Sequence, residues 1–199
     1  MLKSPLPTAL AALLPLMALG GCISLAARPP AALLTLSPDA TPGAGTTVST
    51  ANAATITIAV PTAPAEINTS RVPVRTGNTS IAYIKDAQWS EPPARLFARL
   101  LADTVSARTG RVVLGWNQAL GSTGAKLSGE LRRFGVDESA HQAVIIYEAS
   151  LQRGTDRVFE TRRFEAREPI GTISADTAGP ALNRAANKVA ADVAAWVGS

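Results

Sequence analysis

The 199-residue chain contains a single cysteine, a single histidine and two methionines, and only 5% of its residues are aromatic. One cysteine cannot form an internal disulfide, so covalent cross-linking contributes nothing to the fold. One histidine, His141, excludes a histidine-rich metal centre, and its place in a turn before a strand reads as solvated surface. The aromatics are too few to form a base-stacking platform, which argues against nucleic acid as a partner. No G-x-S-x-G elbow occurs, and Gly121-Ser122-Thr123-Gly124 lacks the lysine of a phosphate loop. Serine nucleophiles have no positioned base. Asp137-Glu138 reads as a charged hairpin turn. The residues therefore point to a non-catalytic protein without cofactor or metal.

The amino terminus carries the strongest positive signal. Lys3 precedes an apolar run from Leu10 to Leu19, broken only by Pro15, and the run ends in Leu19-Gly20-Gly21-Cys22. A positive start, an apolar core and small residues before a cut site mark an export signal over residues 1–21. The run is shorter than the roughly 20 apolar residues of a membrane-spanning helix. Its last four residues resemble the lipobox of bacterial lipoproteins. That resemblance implies cleavage between Gly21 and Cys22, with a diacylglycerol on the Cys22 thiol and further acylation, palmitate included. More than one acyl chain is what durable anchoring requires. Without lipid, Cys22 would be an incidental free thiol in an ordinary secreted protein. Ile23 and Ser24 follow the cysteine, and the absence of an aspartate at the second mature position points to the outer rather than the inner membrane.

The mature chain is long enough for one domain with a real core. Residues 22–53 are rich in Ala, Pro, Thr, Ser and Gly and read as the lipidated end plus a flexible tether, with a short strand at 32–36. The domain itself spans 54–199. Thr55–Val60 alternates like a strand ended by Pro61. Arg71–Arg75 and Ser80–Ile84 form a pair through Gly77-Asn78, and Pro73 places its segment at an edge or only partly in the ladder. A helix follows Ser90-Glu91-Pro92-Pro93, with Ser90 as cap and Gly110 as terminator. Its stripe is Leu96, Phe97, Leu100, Leu101, Thr104 and Val105. Then come a short strand at 111–114 and three long ones at Lys126–Val136, Gln142–Leu151 and Arg157–Arg167. A last helix runs from about Thr177 to Val197, with Pro180 in its first turn and Trp196 in the core. The predicted fold is α+β: a single domain with a mixed, largely antiparallel sheet packed against two main helices.

The formal net charge is +4, and Lys3 lies in the leader, so the mature chain carries about +3. Arg132, Arg133, Arg162 and Arg163 form a candidate positive patch for an acidic partner or anionic lipid. Glu130, Glu160 and Glu165 are interleaved to pair with them. Tyr83 and Trp89 either project as interface anchors or cap the core beside the first helix.

The mature chain resembles the auxiliary lipoproteins of ABC-type lipid transport systems, which include the outer-membrane lipoprotein of the paraquat-inducible operon. The likeness is carried by Leu33-Leu34-Thr35-Leu36, Ile58-Ala59-Val60-Pro61, Arg71-Val72-Pro73-Val74-Arg75, Ile81-Ala82-Tyr83, Ala87-Gln88-Trp89 and Leu127-Ser128-Gly129-Glu130-Leu131-Arg132-Arg133-Phe134. It departs at Glu66-Ile67-Asn68. The resemblance implies a non-catalytic domain anchored to the outer membrane and facing the periplasm. Its partners would be a mammalian-cell-entry-type substrate-binding protein and the permease and ATPase of the system. A homo-oligomer is compatible with such a role. A structural or assembly lipoprotein without a transport role is the alternative.

Overall fold

The structure is a computed structural model that describes residues 32–115, 117–119, 124–154 and 158–199. Gly21, Cys22, Thr155, Asp156 and Arg157 lie outside the described residues.

The fold is organised around β5 (Ala125–Asp137), whose length lets it be shared. Along one edge it pairs antiparallel with β6 (Gln142–Gln152), which pairs in turn with β7 (Phe159–Pro169). Along the other edge the segment 55–75 follows it in parallel, in steps. β1 (Thr55–Ile58) pairs with residues 125–127, Thr62 bridges to Glu130, and β2 (Arg71–Arg75) joins at Val136 and Asp137. β4 (Val112–Leu114) extends the sheet beside β1, and β3 (Ile81–Gln88) extends it beside β2. The sheet thus has seven strands and mixed pairing. Pro73 lies in a strand with neighbours on both sides. The register of β2 on β3 shifts between Arg71 and Pro73, so the ladder is only partly formed around the residue that has no N–H to give.

Two helices cover one face. α1 (Pro93–Thr109) buries the whole expected stripe from Leu96 to Val105. Its N-cap is Pro92, not Ser90, and no side chain caps it. Glu91 instead pairs with Arg99 at 2.7 Å. Gly110 ends α1 in the left-handed region at φ 66°, returning its N–H to the Ser106 carbonyl. α2 (Ala175–Gly198) begins before the expected Thr177 because Ser174 and Thr177 form a reciprocal capping box. Pro180 consequently sits inside the helix, not in its first turn.

The core lies between helices and sheet. Ala143, Ile145, Tyr147, Ala149 and Leu151 project from β6 into it, and the alanines of α2 allow close approach. Phe97 of α1 meets two rings edge-on, an arrangement aromatic pairs favour. Its centroid lies 6.5 Å from that of Phe134 and 5.3 Å from that of Tyr147. Burial raises the Tyr147 phenol well above its ordinary pKa, and its hydroxyl donates to the Ser128 carbonyl. Trp196 packs on Phe164 at 5.5 Å, in the core as expected. Among the described residues, no helix is long and apolar enough to cross a membrane.

Candidate docking site

The segment entering the domain from the amino-terminal side is mounted on α2. Leu34 bridges in parallel to Trp89: its N–H donates to the Gln88 carbonyl at 2.7 Å, and its carbonyl accepts from Ser90 N–H at 2.8 Å. Its side chain lies over Gly179. Further on, Ser37 N–H donates to Asn183 Oδ1 and Asp39 N–H to Asn187 Oδ1, both at 2.8 Å. Asn187 Nδ2 donates back to the Ser37 carbonyl at 2.9 Å. Gly179, Asn183 and Asn187 are spaced by four, so they stack along one face of the helix. The short strand expected at 32–36 amounts to the single bridge at Leu34. Part of what reads in sequence as loose tether is a strap, held at three successive turns.

Trp89 is 1% exposed and stacks edge-on against Phe134 at 5.5 Å. It is a core cap beside α1, so its reading as a projecting anchor is corrected. The cause is its place where β3 gives way to α1, under the strap. Its indole Nε1 has no hydrogen-bond partner among the described residues. Tyr83, on the edge strand β3, is half-buried, with the Arg71 guanidinium 4.0 Å above its ring.

The four arginines do not share one face: Arg132, Arg133 and Arg163 do, with Arg132 and Arg163 both reaching Glu148, and Arg162 does not. β6 separates β5 from β7, so the two pairs are not on neighbouring strands. Arg132 is the extra residue of a bulge between Leu131 and Arg133, which turns both Arg132 and Arg133 to the face away from the helices. There Arg132 reaches Glu148 at 2.9 Å and Glu130 at 3.3 Å, while Arg133 bonds Asp137 at 2.8 Å. Arg163 meets Glu165 at 3.0 Å on that same face. Arg162 alternates to the helix side and lies 5.2 Å over the Phe164 ring. The Glu165 carboxyl is held below its usual pKa by hydrogen bonds from Arg163 and Arg167. Glu130 and Glu165 pair as the interleaving suggests, whereas Glu160 goes to Arg153 at 2.7 Å. Arg153 also donates to the Trp196, Val197 and Ser199 carbonyls and so closes the end of α2, a role not visible in sequence. Beside Arg75, Arg132 and Arg133 runs an open groove of about 500 Å³.

Residues 34–194 match the family model of the ABC-type transport auxiliary lipoprotein component. The chain belongs to this family. The matched span opens at Leu34, which is bonded to Gln88 and Ser90. Among solved structures, protein XCC0632 from Xanthomonas campestris shares the fold at a TM-score of 0.67. It is 19% identical, and the alignment covers 83% of this chain and 94% of that one. An uncharacterized protein of known structure aligns at 0.63 with 18% identity, over 82% of this chain and 99% of the other. No curated protein matches the sequence. As a family member, the protein is an auxiliary lipoprotein component of ABC-type transport. Among the described residues no cluster of three His, Cys, Asp or Glu side chains is placed to hold a metal ion.

Proposed function

We propose that this auxiliary lipoprotein is anchored through Cys22 to the outer membrane and docks a mammalian-cell-entry-type substrate-binding protein there. It acts beside the permease and ATPase of an intermembrane lipid transport system. The observation that carries the reading is the strap. If the lipid sits on Cys22, no more than the stretch up to Leu34 can span the gap. Fully extended, that leash reaches about 40 Å. The domain is then confined near the bilayer, with the N-terminal end of α2 turned towards its anchor and the rest of its surface free for periplasmic partners. Tyr83 with Arg71, and the groove beside Arg132 and Arg133, are the accessible candidates for that contact, with Arg162 and Arg163 on the far strand.

The test is Cys22→Ser in the native host, with the signal and domain otherwise unchanged. The protein is expected to leave the outer-membrane fraction, and transport-dependent resistance to membrane stress to fall, while the folded domain persists. A Cys22→Ser protein that stays in the outer-membrane fraction contradicts the anchor. Full transport function without the lipid contradicts the docking role.

A further inference from the structure

A second site emerges from how the guanidinium groups are used. Arg75, Arg99, Arg132, Arg133, Arg153, Arg163, Arg167 and Arg184 all pair with carboxylates, and Arg71 and Arg162 lie over rings. Arg95 acts electrostatically on Glu91. Arg108 and Arg111 have no anionic partner among the described residues, and both line one cleft of about 800 Å³.

That cleft lies where the ends of α1 and α2 meet the entrance to β1. The tight turn at Gly110 separates the two arginines and lets them approach from the helix end and from the start of β4. α2 lines the cleft with Ala191, Ala194 and Ala195, while Asn52 and Thr109 add polar lining elsewhere. Among the described residues, no acidic side chain lines it. Helix C-termini disfavour anions through their exposed carbonyls, but several carbonyls at these two ends are engaged. Gly110 N–H and the Thr109 hydroxyl occupy the Ser106 and Val105 carbonyls, and Arg153 takes those of Trp196, Val197 and Ser199. Two unpaired guanidiniums facing a small-residue wall suit a phosphate carried on an apolar stem.

We propose that Arg108 and Arg111 form a phosphate-binding site that takes the headgroup phosphate of a phospholipid, with the glycerol end against the alanine wall. The proposal rests on the lipid-transport reading above and adds a lipid contact within this domain. Gly198, in the cleft, and Gly179, under Leu34, lie towards opposite ends of α2, so the cleft is remote from the strap's entry point.

The test uses the full-length lipoprotein in detergent, titrated with short-chain phosphatidylglycerol, with inorganic phosphate and with an oligoglutamate peptide. Phosphatidylglycerol is expected to bind more tightly than inorganic phosphate. Arg108→Gln together with Arg111→Gln should weaken it by about tenfold or more. Arg95→Gln should leave binding unchanged. The double variant should keep the wild-type melting temperature, since neither guanidinium has a bonding partner among the described residues. Equal affinity for lipid and inorganic phosphate overturns the lipid assignment. Preference for oligoglutamate, absence of binding, or an unaffected double variant overturns the site. Capture of the mammalian-cell-entry-type partner by the same double variant is a separate readout: retained capture with lost lipid binding leaves the docking reading standing.

Discussion

Leu34 occupies the space that a side chain on Gly179 would fill: a Cβ there would stand 2.8 Å from Leu34 Cδ2. This contact, with the Asn183 and Asn187 hydrogen bonds, turns the last part of the tether into a fixed layer on α2. Gly179→Val should therefore displace the strap while leaving the sheet and helices folded. The expected result is faster hydrogen exchange at the Leu34, Ser37 and Asp39 amides and earlier proteolysis before Ala54. Asn187→Ala should act similarly. Its buried side-chain amide makes bonds to Asp39, Ser37 and Asn183 that the variant loses. Leaving the Asp39 N–H and the Ser37 carbonyl without that partner should cost about 1–2 kcal/mol.

Trp89 separates the two roles an aromatic can play. Trp89→Ala should destabilise the domain by about 3–5 kcal/mol by emptying the space against Phe134. Trp89→Phe should cost much less, because it keeps a ring there and removes an indole N–H with no partner. Urea unfolding of the two variants checks this. Equal, small losses would mean that the ring is not part of the core.

Gly129 permits a close backbone approach between β5 and β6. A Cβ at that position would stand 2.2 Å from the Glu148 carbonyl and 2.8 Å from the Tyr147 ring. Neither can yield without shifting the ladder. Gly129→Ala should cost about 3 kcal/mol, at the upper end for overpacking, read as a lower melting temperature.

Asp137 gives a pH signature. Its carboxyl is lowered to about 2 by hydrogen bonds from Ser139, then Arg133, then the Ala140 N–H. A folded pKa below the unfolded value of 3.8 means stabilisation that is complete above the unfolded value. It is lost as pH falls from 3.8 through 2. Partial exposure to water limits the contribution to about 1–2 kcal/mol. The stability gap between wild type and Asp137→Asn should be widest near neutrality and close across that acid range. A gap independent of pH would contradict the assignment.

The elements legible in sequence are those whose signal is local. The Leu96–Val105 stripe is buried as its period requires. The odd-numbered residues of Gln142–Leu151 enter the core, while Val144 and Ile146 on the other face are buried as well, as apolar character on both faces implies. What escapes depends on a distant partner. The bulge at Arg132 exists only relative to β6, so consecutive arginines on one face cannot be inferred from β5 alone. Nothing in Ser37-Pro38-Asp39 distinguishes a docked strap from a linker. Its only trace lies far downstream, in Asn183 and Asn187, two amides one turn apart on a helix rich in alanine and valine. Ser174 and Thr177 do carry a cap signal three residues apart, and it places the start of α2 where the structure has it.

The central claim is that the lipid-anchored domain docks the substrate-binding component of its transporter. Its most direct test is capture of the full-length lipoprotein from crosslinked native membranes, followed by identification of what comes with it. The predicted result is recovery of the mammalian-cell-entry-type protein, weakened when Tyr83 and Arg71 are replaced together while the domain stays folded. Recovery of the intact lipoprotein without that protein would contradict it.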